Sequence, residues 1–254
     1  MAAHIADASK TGRSVWFAAL SAALITAAAN AINDYFDIEI DRINRPNRPL
    51  PSGKIERSEA LWFAAIFFFL GIALSFGINR AAVVLVIVAS LLLIVYSPFF
   101  KRMVLLGNLL VSLTTAMAMF YGGVAAGSPR KAIVPAIFAF FVHFAREIIK
   151  DMEDIEGDSR FAAMTLPVRH GNEPAKLLAT VVLLDLIAFS FFPFALGLYG
   201  RWYLYIVLVI DLIFAGIIIA LWLTSRRKAL ACMSVLLKLC MVLGLFAIYA
   251  GRWN

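Results

Sequence analysis

Charge is scarce in this chain. Only 15% of its 254 residues are Asp, Glu, Lys or Arg, while 63% are hydrophobic, against about a quarter charged and about half apolar in water-soluble domains. A soluble globular domain is therefore excluded. Cysteine is nearly absent: Cys232 and Cys240 stand eight apart without a C-x-x-C spacing, which leaves no disulfide framework or thiolate zinc cluster and gives both an apolar, buried role. The three histidines, His4, His143 and His170, are too scattered for an imidazole metal site. Period-two alternation with turn signals is missing, so an outer-membrane barrel is excluded. Residues 1–14 are polar and mixed rather than basic then apolar, unlike a cleaved leader.

What the chain has instead is long apolar runs. Residues 61–78, 81–95, 177–199 and 203–223 are helix-length stretches suited to about 30 Å of hydrocarbon. The pattern predicts an all-α, polytopic transmembrane bundle with eight spans, near 15–35, 58–78, 81–99, 103–126, 131–150, 176–199, 202–224 and 231–250. Eight spans put the loops 36–57, 100–102, 151–175 and 225–230 on one face. Fifteen of the 23 lysines and arginines lie in or beside those loops, against seven on the other face. By the positive-inside rule the loaded face is cytoplasmic. The net charge of +7 then needs no nucleic-acid partner, since anionic lipid and an anionic substrate account for it.

Two acidic runs stand out. N-D-Y-F-D-I-E-I-D at 33–41 closes the first span, and R-E-I-I-K-D-M-E-D-I-E-G-D at 146–158 closes the fifth. At about 100° per residue, Asn30, Asn33, Asp34, Asp37 and Asp41 share one helix face, and Glu147, Asp151, Asp154 and Asp158 share another. A solvated helix end would not confine its acids to one side. Aligned carboxylates repel, and more so as the local dielectric falls. A divalent ion such as Mg²⁺ removes that cost, because it combines one or two carboxylates with substrate phosphates. Both runs lie on the same membrane face and can meet across a bundle.

Basic residues follow the acids. Arg42, Arg45 and Arg48 alternate with Pro46, Pro49 and Pro51 in 41–53, a loop stiffened by proline that presents arginine forks suited to phosphate. Lys101 and Arg102 reach the same face, whereas Arg226, Arg227 and Lys228 read as topology determinants. Within the spans, Asp185, Asp211 and Lys238 are compatible with an intramembrane Asp–Lys pair. Asn108, Thr114 and Thr115 are suited to hydrogen bonds between helices, and Gly122 and Gly123 to close packing or a kink. His143 fits a packing role more readily than a cavity one. A transporter would gather its acids near the bilayer midplane and show internal repeats. Here they gather at one face, and no fixed-period repeat is evident, so an enzyme is the better reading.

The first motif, Asn33, Asp34, Asp37 and Asp41, resembles the N-D-x-x-D-x-x-x-D signature of the UbiA intramembrane prenyltransferases. The continuation I-N-R-P-N-R-P-L-P-S-G at 43–53 is similar to that family's R-P-[IL]-x-S-G tail. K-D-M-E-D-I-E-G-D at 150–158 and T-L-P-V-R-H-G at 165–171 fit the second motif in order and spacing. The form of this second motif resembles the archaeal digeranylgeranylglyceryl phosphate synthases more than the chlorophyll synthases or the 4-hydroxybenzoate prenyltransferases of quinone pathways. The resemblance implies one prenyltransferase domain over 1–254, with motif one at 30–53 and motif two at 146–171, around a central cavity opening near the cytoplasmic face. It also implies nine spans, and residues 1–14 carry no counterpart of the family's first.

The resemblance further implies Mg²⁺-dependent transfer of a geranylgeranyl group from geranylgeranyl diphosphate to geranylgeranylglyceryl phosphate in the cell membrane. The alternatives are an aromatic acceptor or a chlorophyll-synthase-like esterification. Two Mg²⁺ ions would be held by Asn33, Asp34, Asp37 and Asp41 on one side and by Asp151, Asp154 and Asp158 on the other. Asp37, Asp41, Asp151 and Asp154 are the expected catalytic carboxylates, with Asp34 and Glu147 as secondary candidates. Arg42, Arg45, Lys101, Arg102 and Lys150 are expected to meet substrate phosphate, although Lys150 can equally pair with Asp154 one turn on. Tyr96 is the expected cation-stabilising ring, with Tyr35, Phe36 and Phe144 also near the polar face.

Overall fold

In hydrocarbon a helix satisfies its whole backbone internally, so continuous apolar sequence becomes helix whether or not its pattern is amphipathic. In a computed structural model of the chain, which describes residues 12–100, 103–160 and 164–252, eight helices are long and apolar enough to cross a membrane. They are α1 (Gly12–Asn44), α2 (Arg57–Ser75), α3 (Arg80–Val95), α4 (Leu106–Ala125), α5 (Ile133–Glu153), α8 (Asn172–Ser190), α10 (Arg201–Leu223) and α11 (Arg227–Ala250). Three short helices complete the order: α6 (Ile155–Arg160) and α7 (Leu166–His170) follow the second motif, and α9 (Phe192–Ala195) follows α8. No strand occurs among the described residues, and the eight predicted spans are all present. Side chains such as Trp62, Phe69, Leu212 and Leu223 stay outside, as a lipid-facing surface requires.

Two apolar cores hold the bundle. One joins α1 to α4 around Ala28, Ala64, Phe68 and Val86. The other joins α5, α8, α10 and α11 around Ile148, Leu183, Leu221 and Leu237. Helix association in lipid depends on close backbone approach and interhelical hydrogen bonds. At the α1–α2 crossing the Ser21 hydroxyl donates to the Gly71 carbonyl at 2.7 Å, and a Cβ at Gly71 would lie 2.7 Å from Ile25 Cδ1. At the turn into α5, a Cβ at Gly123 would lie 2.3 Å from Ala132 Cβ, so this glycine serves close packing as expected. The α4–α5 junction joins the two halves, and the ends of α1 and α5 meet the space between them.

Candidate active site

Motif one is built by an overlong helix. α1 continues through the acidic run to Asn44, past the point where a proline-stiffened loop was expected to begin. Turns then carry the chain through Pro46, Pro49 and Pro51, closed by Lys54 N–H donating to Pro49 O at 2.9 Å and by Gly53 at φ 75°. The helix extension decides which arginines face inward. Arg42 stays on α1, exposed and bonded to Glu39 at 2.7 Å, so the structure places this expected phosphate ligand outside the cavity. Arg48 comes back instead: its Nη1 donates to Asp34 Oδ1 at 2.6 Å and to Asp41 Oδ2 at 2.7 Å. Arg45 reaches across to motif two, donating to Asp154 Oδ2 at 3.3 Å. Asp34 supports Arg48 but is not among the cavity-lining residues, unlike Asn33, Asp37 and Asp41.

Pro98 shapes the neighbouring wall. Proline cannot continue an α-helix without losing a hydrogen bond and crowding the preceding turn, and α3 widens here into a π turn over Tyr96–Phe100. Such widenings frequently mark functional sites. Tyr96 lines the cavity, and Ser97 Oγ donates to Asn33 Oδ1 at 3.2 Å. Lys101 and Arg102, expected to meet phosphate, lie outside the described residues.

Motif two is spread over one face of α5. With His143 as zero and about 100° per residue, Arg146 and Lys150 fall on one edge, Asp154 near the middle, and Glu147 and Asp151 on the other. The Asp151 edge meets α4, where Asn108 Nδ2 donates to Asp151 Oδ2 at 2.8 Å. Asn108 thus makes the interhelical bond expected of it, and to a site carboxylate. Thr114 and Thr115 instead bond to Val111 O on their own helix. Lys150 Nζ lies 3.3 Å from Asp154 Oδ2, so it both pairs with Asp154 and lines the cavity. Arg146 bonds its neighbour Glu147, whose Oε1 is also 3.5 Å from His143 Nε2. Beyond α5, Asp158 on α6 is buried and completes the stripe.

These walls enclose a cavity of about 520 Å³. Six carboxylates line it (Asp37, Asp41, Glu147, Asp151, Asp154 and Asp158), together with five cations (Arg45, Arg48, Arg146, Lys150 and Lys238). It adjoins a second space of about 350 Å³ between α1, α3 and α4, mostly apolar and reaching Tyr121. Thr26, Ala29, Asn30, Leu93, Val111 and His143 line both. The expected cavity is therefore a polar mouth continuing into an oily tunnel, and His143 faces it rather than only packing. Lys238 also faces it, so the expected intramembrane Asp–Lys pair does not form. Asp211 accepts from Ser190 Oγ at 2.8 Å in the other half of the bundle, and Asp185 is exposed.

The lining fits a hard divalent cation on one condition. Asp37, Asp41, Asp154 and Asp158 are all less than 9% exposed, and Asp154 Oδ1 is buried without a hydrogen-bond partner, a costly arrangement for a carboxylate. Yet among the described residues no three acidic, imidazole or thiol side chains converge closely enough to hold an ion by themselves. Magnesium customarily takes one or two carboxylates and completes its shell with water and substrate phosphate. The donor set suits an ion that arrives with its substrate.

Arg146, His143 and Lys238 were not among the expected site residues, and Arg48, grouped with Arg42 and Arg45 as a fork suited to phosphate, was not among the expected phosphate ligands. For Arg48 the signal was present in its place between Pro46 and Pro49. For Lys238 it was the bare presence of a cation inside an apolar span.

The chain matches the UbiA prenyltransferase family over residues 1–249. It is 36% identical over 244 residues to the digeranylgeranylglyceryl phosphate synthase of Methanothermobacter thermautotrophicus, covering 95% of this chain and 87% of that protein. It is 40% identical over 230 residues to the synthase of the same name from Methanosarcina mazei, covering 90% and 78%. A solved digeranylgeranylglyceryl phosphate synthase superposes with a TM-score of 0.77 at 32% identity, over 98% of this chain and 90% of that one. The fold is shared with a UbiA homologue from Archaeoglobus fulgidus bound to DMAPP and Mg²⁺, with a TM-score of 0.66 at 20% identity over 98% of this chain and 92% of that one. The chain belongs to the UbiA prenyltransferase family and is an intramembrane prenyltransferase.

Proposed function

We propose that the protein transfers a geranylgeranyl group from geranylgeranyl diphosphate to the free hydroxyl of geranylgeranylglyceryl phosphate, within one prenyltransferase domain over 1–254. It does so with two Mg²⁺ ions, one per acidic motif, in the cell membrane and with the motif face toward the cytoplasm. The observation that carries this reading is the continuity of the polar cavity, walled by both motifs, with the apolar space beneath it. A polar head and an isoprenoid tail have these two requirements. The names of the relatives support the acceptor, the ligands of the Archaeoglobus protein support a prenyl diphosphate with Mg²⁺, and the distribution of basic residues supports the orientation.

Charge supports the metal. Six lining carboxylates against five cations leave the wall close to neutral, and a diphosphate together with a phosphate adds several negative charges. Asn33, Asp37 and Asp41 on α1, and Asp151, Asp154 and Asp158 on α5 and α6, are the side chains that would hold Mg²⁺, with Asp34 supporting them through Arg48. When bound, Mg²⁺ supplies positive charge to the diphosphate oxygens. Arg45, Arg48 and Lys150 donate hydrogen bonds to the same oxygens, and charge-assisted donors fixed before reaction are the effective kind.

The donor's carbon–oxygen bond breaks with its electron pair leaving on the diphosphate, and a delocalised allylic cation remains. The Tyr96 ring faces that space, and an aromatic face stabilises a cation by about 0.5–2 kcal/mol. The tunnel walls keep water from the cation. The acceptor hydroxyl oxygen then bonds to the same carbon, and its proton passes to a cavity carboxylate or to the departed diphosphate.

The test is transfer of labelled geranylgeranyl diphosphate by the purified protein in vesicles, offered geranylgeranylglyceryl phosphate and 4-hydroxybenzoate together. Mg²⁺-dependent labelling of the glyceryl lipid is the expected result. Preference for the aromatic acceptor overturns the acceptor, and turnover in excess chelator overturns the metal.

A further inference from the structure

We infer that Lys238, with Arg146, forms an anion site on the α11 side of the cavity that receives the phosphate of the acceptor and selects a phosphorylated acceptor over a neutral one. The inference rests on the transfer reaction proposed above and goes further by naming the residues that read the acceptor. Lys238 stands at the middle of α11 and is the one charged residue of that span beyond its first turn. An ammonium in that position is costly unless it meets an anion or a water-filled space. No hydrogen bond or close ion pair engages it among the described residues, and it lines the same cavity as the two acidic motifs.

Its electrostatic neighbours are Arg146, Glu147, Arg45 and Lys150, three cations to one acid, and Glu147 is already bonded to Arg146. Arg146 is itself buried, with its Nε lacking a hydrogen-bond partner. Two cationic groups with unused donors thus face one space.

The arrangement of α5 separates this space from the diphosphate end. Asp151 lies on the α5 edge that meets α4 and is bonded to Asn108, whereas Arg146 lies on the opposite edge and is the charge that acts most strongly on Lys238 of α11. Asp37, Asp151 and Asp158 act on Tyr96, whereas Glu147 acts on both Tyr96 and Lys238 and is shared by the two ends. The reaction brings two anionic heads into one cavity. The carboxylate-rich side suits the head that arrives with metal, and the cation-rich side suits the head that arrives without it. A phosphate monoester offers nearly two charges and three acceptor oxygens to such a pair.

The test compares wild type with Lys238→Met and Lys238→Arg in vesicles, with the donor saturating and geranylgeranylglyceryl phosphate or its dephosphorylated alcohol as the acceptor. Losing one charge-assisted donor is expected to raise the KM for the phosphorylated acceptor in Lys238→Met by about tenfold to a hundredfold. The donor KM, the Mg²⁺ requirement and the rate with the alcohol should hold, and Lys238→Arg should recover most of the loss. An unchanged acceptor KM in Lys238→Met, or an equal loss with the alcohol, overturns the inference while leaving the transfer reaction standing.

A second readout needs no turnover: thermal stabilisation of the protein by geranylgeranylglyceryl phosphate in the absence of donor. Stabilisation present in wild type and lost in Lys238→Met supports the anion site even if no transfer is observed, in which case only the transfer reading falls. Equal stabilisation of both proteins overturns the site.

Discussion

The two acidic motifs end their helices alike but are neutralised differently. Motif one carries its own counter-charge: a single guanidinium, Arg48, bridges Asp34 and Asp41 from seven residues downstream of the latter. Motif two relies on the rest of the molecule. Asp151 is held by a neutral amide on α4, and Asp154 by Arg45 from the motif-one loop and Lys150 from α5, both on one oxygen. The other oxygen of Asp154 is left without a hydrogen bond. Motif one is thus closed by its own cation, and motif two is partly open. Arg45 joins the loop after motif one to Asp154 of motif two.

The largest effect should come from removing a carboxylate on either side of that comparison. Asp37→Asn and Asp154→Asn keep shape and remove charge. Each is expected to lower kcat/KM for the prenyl diphosphate by about a hundredfold to a thousandfold, the scale of a lost transition-state charge contact. Initial rates at saturating Mg²⁺ measure this. Full activity in both variants would remove the metal assignment from both motifs.

Arg48→Ala tests the difference itself, with two readouts that move in opposite directions. The diphosphate loses a donor, so kcat/KM should fall by about tenfold to a hundredfold. Asp34 and Asp41 lose the cation that competes with metal, so half-saturation should need less Mg²⁺. A rise in the Mg²⁺ requirement would mean that Arg48 organises the metal carboxylates rather than competing for them. On the other motif, Asn108→Leu removes the amide that orients Asp151. Loss of such a supporting partner typically costs about tenfold to a hundredfold in activity or metal affinity, and the lower end is expected here because Lys150 still neighbours Asp151.

Sequence and structure agree where the physics is local. A run of apolar residues becomes a spanning helix in lipid, and helical spacing alone puts Asp37 beside Asp41 and Glu147 beside Asp151. They part where the answer depends on the place or rotation of a whole element. The choice among Arg42, Arg45 and Arg48 turned on α1 ending at Asn44 rather than at the acidic run, which carries Arg42 around to the outer face. The direction of Lys238 turned on the rotation of α11. Beyond its first turn that helix offers only Ser234 and Lys238 as polar side chains, too short a stripe to say which face is inward. The Asp–Lys pair read from composition failed for the same reason: Asp211 faces α8 and Lys238 faces the cavity.

Gly123→Ala probes packing without touching either motif. The added Cβ meets Ala132 Cβ, and overpacking of this kind costs about 1–3 kcal/mol. A lower thermal midpoint with kcat/KM kept at low temperature is the expected outcome. A selective loss of activity would instead make the α4–α5 turn part of the catalytic geometry.

The smallest effect belongs to Arg42, although it follows the last aspartate of motif one directly. Its guanidinium is bonded to Glu39 at 2.7 Å on the exposed face of α1, and both side chains are at least half exposed. Exposed pairs of this kind contribute about 0–1 kcal/mol to stability, and salt screens them. Arg42→Ala should therefore leave kcat/KM and the Mg²⁺ requirement within about twofold, while Arg48→Ala, six residues on, changes both. Equal losses in the two variants would contradict the helix extension to Asn44 and return Arg42 to the cavity. The pair is a direct measure of where α1 stops, because only that boundary separates an arginine that meets the site from one that meets the surface.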